Sequence, residues 1–120
     1  MKENIDIVER TFEFATNIVK LAFHLDERSS VARVLSKQIL RSGTSVGATI
    51  EEGQSAQSKL NFIRKYSIAL KEARETIYWL RLLEVANIIS EQKIKPIKQE
   101  SEEICRIIAK IIINSKKNPR

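Results

Sequence analysis

Residues able to perform catalysis or to bind a metal are scarce in this chain. It holds one histidine and one cysteine, His24 and Cys105, whereas metal sites and activated nucleophiles need several His, Cys, Asp or Glu side chains that converge. His24 is expected to interact with the end of a helix, and Cys105 to be a small buried residue. We therefore expect no metal, no cofactor and no enzymatic activity.

Two patterns resemble functional motifs but lack their key residues. A group of carboxylates suggests the paired glutamates of a di-iron bundle, yet the Glu-x-x-His step of such sites is missing from the sequence. The segment from Gly43 to Gly47 lacks the Gly-Lys-Ser/Thr ending of a phosphate-binding loop. Ion pairs and helix packing are the simpler interpretations. The carboxylates concerned are Glu51, Glu52, Glu72 and Glu75.

Basic residues are the candidate binding groups. The 21 Lys and Arg exceed the 15 Asp and Glu, which gives a net charge of +6 and favours polyanions at low salt. Some recur every four residues or one heptad apart, so that they share a helix face and could meet phosphates. The candidate nucleic-acid contacts are Arg33, Lys37, Arg41, Arg74, Arg81, Lys116 and Lys117.

The same spacing is equally compatible with solvated helix faces. In that interpretation the basic side chains form ion pairs with Glu72, Glu75 or Glu84. The aromatic residues are open to two interpretations as well, because Tyr78 and Trp79 could stack on bases or fill a contact between subunits. Both alternatives remain open at this point.

Helical periodicity covers nearly the whole sequence. Apolar residues spaced three and four apart predict helices over about residues 4–25, 30–55, 59–87 and 91–115, within a single domain that ends in a basic tail at 116–120. In the first helix two apolar lines lie side by side. The main line is Ile5, Val8, Phe12, Ala15, Val19 and Ala22, and the second is Phe14, Ile18, Leu21 and Leu25.

The middle of the second helix is poor in helix-forming residues. Each interior glycine should cost about 1 kcal/mol relative to alanine, so close packing of a neighbouring backbone is the expected compensation. A loop that splits the helix is the competing interpretation. The proposed helix-packing motif comprises Ser42, Gly43, Gly47, Ala48, Glu51, Glu52 and Gly53.

Short connections between the four helices predict an antiparallel, up-down-up-down bundle of the all-α class. Pro96 predicts either an irregular entry into the fourth helix or a bend there. The longest apolar runs are far shorter than the roughly 20 residues that cross a bilayer, and the single cysteine suits a reducing compartment. We expect a cytoplasmic protein that does not contact a membrane.

The segment from Arg41 to Gly53, RSGTSVGATIEEG, resembles the hallmark of the four-helix-bundle family named for intervening sequences in bacterial 23S ribosomal RNA genes. Residues 62–73 and 75–80 resemble the third helix of that family. Two positions depart from its pattern: Thr49 stands where the family usually has Asn, and Lys71-Glu72 where a small Gly-Ser pair is common. These departures affect the local hydrogen bonding that we expect.

The resemblance implies a homo-oligomer, most commonly a ring-shaped pentamer. Related accessory variability proteins of diversity-generating retroelements bind RNA and a reverse transcriptase through basic surfaces. The leading hypothesis is therefore a non-enzymatic oligomer that binds ribosomal or other structured RNA. The alternative is a protein-binding adaptor or scaffold that has no nucleic-acid role.

Overall fold

The computed structural model describes residues 2–118, and their side chains from residue 7 onward. It contains four helices, α1 (Lys2–Asp26), α2 (Ser30–Gln54), α3 (Lys59–Val85) and α4 (Glu91–Lys117). Each helix begins and ends within two residues of the position that periodicity suggests. The stretch that contains Gly43 and Gly47 is helical throughout, so the interpretation that placed a loop there is wrong.

Serines fix the starts of three helices. The hydroxyls of Ser29, Ser58 and Ser90 accept hydrogen bonds from amides in the first turns of α2, α3 and α4, which satisfies donors that lack a partner within the helix. At the end of α3, Asn87 has φ 59°. The Ile88 amide donates to the Leu83 carbonyl and the Asn87 amide to that of Glu84, which is a Schellman motif.

Contacts between helices show an antiparallel bundle. The Ser36 hydroxyl donates to the Ala22 carbonyl at 3.2 Å, and Gly43 lies against Ile18, so α2 runs back along α1. Ion pairs link Lys98 to Glu84 at 2.6 Å and Arg10 to Glu100 at 2.7 Å. Within residues 2–118, α1 packs on α2 and α4, and α3 packs on the same two helices, whereas the diagonal pairs are apart. The helices therefore occupy the corners of a square.

The core contains one face of every helix, and in α1 the two predicted apolar lines differ in burial. In the second line Phe14, Ile18 and Leu25 are fully buried and Leu21 is half-buried. In the main line Ala22 is buried, whereas Phe12 and Val19 are exposed. Ile5, also assigned to that line, lies outside the residues whose side chains are described. Two adjacent apolar lines compete for the core, and the antiparallel neighbours α2 and α4 cover only the side that faces between them.

The fourth helix begins at its predicted residue but is more regular around Pro96 and longer at its end than predicted. Ser90 caps a regular start at Glu91, so Pro96 lies inside α4 and no irregular entry precedes it. Gln92 and Pro96 are both exposed, so the Gln92 carbonyl that has no amide partner at Pro96 is close to water. At the other end the helix continues through Lys117 and includes two predicted tail residues. Cations in a last turn favour the helix dipole. Pro119 and Arg120 lie outside the described residues.

Candidate nucleic-acid interface

Glycines of α2 bring this helix close to α1. A Cβ added to Gly43 would lie 2.8 Å from Cγ1 of Ile18, and one added to Gly47 would lie 3.0 Å from the Thr11 carbonyl oxygen. Both distances are shorter than normal van der Waals contact. The two glycines therefore permit a backbone approach that a side chain would prevent, and this contact offsets their low helix propensity.

The remaining residues of the small-residue segment face α3 or the solvent. The hydroxyls of Ser42 and Thr76 share a buried hydrogen bond of 2.9 Å. Gly53 lies against the ring of Tyr66, and Glu52 forms an ion pair with Lys65. Ala48 and Glu51 are exposed. The segment thus packs on two helices, with Gly43 and Gly47 toward α1 and Ser42 and Gly53 toward α3.

Tyr66 is the largest fully buried side chain in the described part of the chain. Its hydroxyl donates to Oε1 of Gln54 at 2.5 Å, and its ring stacks on Phe62 with centroids 4.2 Å apart. Burial raises its pKa to about 12, since the charged phenolate is poorly solvated there. Tyr66 therefore joins α2 to α3 as a core residue.

Arg41, one of the candidate RNA contacts, is engaged within the protein. Its guanidinium forms ion pairs with Glu72 and Glu75 of α3, as the ion-pair interpretation anticipates. The Trp79 indole donates to Glu75 at 2.9 Å. This hydrogen bond is the main cause of a lowered pKa of the Glu75 carboxyl group. Partial burial raises that pKa, and Arg41 lowers it further. Contact between Arg41 and a phosphate would have to compete with two carboxylates.

The other candidate basic residues fall into three separate groups. Arg33 and Lys37 are exposed on α2, and Lys37 lies beside Phe23 of α1. Arg74 and Arg81 are exposed on α3, and Arg74 acts electrostatically on Cys105 of α4, which places this pair on the side of the bundle formed by α3 and α4. Lys116 and Lys117 lie at the far end of α4. The fold does not gather the seven candidates into one site.

The lone histidine and the lone cysteine have ordinary surroundings. Burial raises the pKa of the Cys105 thiol, and the nearby Arg74 acts in the opposite direction. His24 lies in the last turn of α1 and is within 3.3 Å of Nη1 of Arg28. Among the described residues, no three His, Cys, Asp or Glu side chains are grouped as a metal site would require.

Sequence reasoning missed two features of the surface. Arg28 and Lys93, which lie in different segments, line one cavity with His24. In addition, Phe12, Val19 and Phe23 of α1 form an exposed apolar line beside Leu40 of α2, which we call the α1–α2 strip. Spacing could have revealed the strip, because its α1 residues follow helical periodicity. The cavity depends on which connections meet at one end of the bundle.

Comparison with known proteins identifies the family to which the chain belongs. Residues 3–110 match the family described as 23S rRNA-intervening sequence protein. A crystal structure from Bacteroides thetaiotaomicron, of a protein with unknown function from the S23 ribosomal protein family, is 46% identical. The match covers 93% of this chain and 98% of that one, with a TM-score of 0.86. The chain belongs to the 23S rRNA-intervening sequence protein family.

Two positions at which the sequence departs from the pattern of the 23S rRNA-intervening sequence family, Thr49 and Glu72, can be located in the structure. Glu72, at the position where a small residue is common, is an ion-pair partner of Arg41, and its carbonyl accepts a hydrogen bond from Thr76 at 2.8 Å. Thr49 is half-buried on α2. No curated protein matches the chain. In the described part of this family member, no helix combines the length and apolar character of a membrane span.

Proposed function

We propose that this protein is a non-enzymatic cytoplasmic oligomer that binds structured RNA through the side of the bundle formed by α3 and α4. The observation that carries the proposal is the exposed pair Arg74 and Arg81, which form no ion pair among the described residues. Arg41, by contrast, is neutralised by Glu72 and Glu75. Uncompensated guanidinium groups attract phosphates and form bidentate hydrogen bonds with them.

The net charge of +6 and the family description support an RNA partner. Arginines two helical turns apart project from one face, so Arg74 and Arg81 could contact phosphates along one stretch of backbone. Lys37 lies beside the apolar α1–α2 strip, and Arg33 is exposed one turn earlier on α2. Lys116 and Lys117 lie at one end of the molecule. We assign the group on α2 to subunit contacts and the group at the end of α4 to a weaker, peripheral attraction for RNA.

The test is the salt dependence of binding to a base-paired RNA hairpin. Each duplex phosphate contact contributes a slope of about −0.9 to the dependence of log affinity on log salt. The double substitution Arg74→Gln/Arg81→Gln should reduce that slope by about 2. The control Lys20→Gln/Lys95→Gln removes the same charge from exposed positions on α1 and α4 and should change it little.

Two results would overturn this assignment. An equal reduction of the salt-dependence slope in the two double variants would show that RNA binding depends only on net charge. Absence of salt-dependent RNA association in the wild-type protein would reject the RNA role, and recovery of a protein partner that survives nuclease treatment would then favour an adaptor.

The proposed assembly uses the α1–α2 strip as the contact between copies. Phe12 is 66% and Phe23 is 71% exposed, and contiguous apolar surface of this kind typically marks an interaction site. The end of the strip near Phe12 is bordered by Glu9, Glu13 and Glu51. The end near Phe23 is bordered by the basic Lys37 together with Asp26.

A second copy is the occupant that this charge distribution favours. The acidic end of one strip can meet Lys37 beside the strip of its neighbour, and a repeated head-to-tail contact closes into a ring. A pentamer is the ring that the family resemblance implies. Light scattering at micromolar concentration should give the mass of a pentamer, and a monomer would reject the assembly.

A further inference from the structure

A cavity of about 360 Å³ lies at the end of the bundle where α1 ends and α4 begins. The two connections, between α1 and α2 and between α3 and α4, meet there because the helices are antiparallel. Five residues with polar side chains line the cavity, together with two apolar ones; they are His24, Arg28, Asn87, Ser90 and Lys93, and Ile88 and Ile89. The volume is at the lower end of the range for small-ligand pockets.

The charge of this cavity distinguishes it from the other main cavities of the described structure. Those next to Ile97, Leu40 and Val8 include Glu100, Asp26 and a group of three glutamates, respectively. The cavity at the bundle end has no carboxylate in its lining. Asp26, Glu27 and Glu91 are near in sequence, but they are exposed and lie outside it.

Its two permanent cations have no acidic partner among the described residues. Arg28 is oriented by His24: when His24 is neutral and protonated on Nδ1, the guanidinium Nη1 donates to Nε2 at 3.3 Å. Lys93 lies on the first turn of α4 and forms no ion pair in this part of the chain. An arginine that is positioned by a neutral acceptor keeps its full charge and its remaining donors for a ligand.

We propose that this cavity binds a phosphate group. Arg28 and Lys93 line it from different segments, and Lys93 also borders the cavity next to Ile97. Their side chains would neutralise a dianion, and the Asn87 amide and the Ser90 hydroxyl would supply further hydrogen bonds. The half-buried Ile88 provides an apolar surface beside the charged groups, which suits an organic phosphate such as a nucleotide. This site is separate from Arg74 and Arg81, and the inference does not depend on the RNA proposal.

The first experiment uses inorganic phosphate as the probe, followed by NMR at constant ionic strength. Amide and side-chain signals of Arg28, Lys93 and Asn87 should shift with saturation, whereas chloride should produce no such shifts. Arg28→Gln and Lys93→Gln should each weaken phosphate binding about tenfold, the loss expected for one charge-assisted hydrogen bond. Arg64→Gln and Lys110→Gln, at the other end of the bundle, are the matched controls.

NMR shifts that do not saturate with phosphate, or an equal loss of phosphate binding in the control variants, would overturn the proposal.

A second comparison distinguishes the sources of the phosphate. A short oligoribonucleotide with a 5′-phosphate, the same oligomer with a 5′-hydroxyl, and a free nucleoside monophosphate are titrated in turn. Preference for the phosphorylated oligomer would assign the site to RNA ends, and equal affinity for the mononucleotide would assign it to a free nucleotide. Loss of hairpin binding in Arg74→Gln/Arg81→Gln would leave these results unchanged.

Discussion

Gly43 shows how a single missing methyl group fixes the distance between two helices. A Cβ at this position would lie 2.8 Å from Cγ1 and 2.9 Å from Cγ2 of the fully buried Ile18. Substitution by alanine gains about 1 kcal/mol of helix propensity, but overpacking a tight core costs about 1–3 kcal/mol. We expect Gly43→Ala to lower the free energy of unfolding by about 1 kcal/mol, measured by denaturant titration.

A double-mutant cycle separates the clash from other causes. In an Ile18→Ala background the obstructing branches are gone, so Gly43→Ala should become neutral or stabilising there. The same penalty in both backgrounds would show that Ile18 is not the obstacle.

Tyr66 provides a pH-dependent test of the α2–α3 contact. Its pKa is about 12 in the folded protein and 10.0 when unperturbed. Between these values the unfolded chain loses a proton that the folded chain retains, so stability falls as pH rises. The stabilisation present below pH 10 should decrease by about 2 kcal/mol. The unfolding free energy of wild type minus that of Tyr66→Phe should be about 2 kcal/mol lower at about pH 11.5 than at about pH 9. A constant difference would contradict the burial argument.

Arg41 marks the limit of what residue spacing can predict. The interval of four residues predicts that Arg33, Lys37 and Arg41 share one edge of α2. In the structure Lys37 lies toward α1, whereas Arg41 pairs with carboxylates of α3. The interval cannot indicate that Glu72 and Glu75 face Arg41 across the helix contact, because that depends on the register of α2 against α3. The ion-pair alternative names the correct carboxylates for this arginine. The RNA-contact hypothesis remains a prediction for the others.

At the scale of helices, periodicity predicts the elements well and their orientation less well. Serine caps and apolar spacing indicate where each helix begins and that α2 is continuous. In α1, however, the lines that contain Phe12 and Phe14 satisfy the same helical spacing, and only the positions of α2 and α4 determine which is buried. The choice is a tertiary property, and spacing alone therefore could not say which of the two lines is exposed.

Pro96 destabilises α4, and substitution of this residue should make the helix more stable. It stands inside α4, where it deprives the Gln92 carbonyl of an intrahelical partner. Proline in a helix interior costs about 3 kcal/mol relative to alanine. The cost is smaller here because Pro96 lies near the start of the helix, and because proline restricts the unfolded chain, which stabilises the folded state by up to about 1 kcal/mol. Pro96→Ala should therefore stabilise the protein by about 1–2 kcal/mol.

Thermal and denaturant unfolding would measure this effect. Lys95→Ala, an adjacent exposed substitution, should stay within about 0.5 kcal/mol of wild type. Unchanged or reduced stability in Pro96→Ala would mean that α4 is adapted to the proline.

For the whole molecule, the square arrangement separates the two surfaces to which we assign functions. The α1–α2 strip and the pair Arg74 and Arg81 lie on opposite sides, because α1 and α2 form one side of the square and α3 and α4 the other. Assembly through the strip would leave the arginines of every subunit accessible. Several equivalent basic faces in one particle raise the apparent affinity for a long RNA above that of a single copy.

Phe12→Ser/Phe23→Ser tests this coupling. Both side chains are exposed in the single chain, so the variant should fold, with unchanged helix content by circular dichroism, while light scattering shows a monomer. Leu60→Ser/Val85→Ser removes comparably exposed apolar residues from α3 and should keep the wild-type mass. Affinity for a long RNA should fall at least about tenfold in the first variant although Arg74 and Arg81 are intact. A monomer that binds long RNA as tightly as wild type would separate assembly from RNA binding.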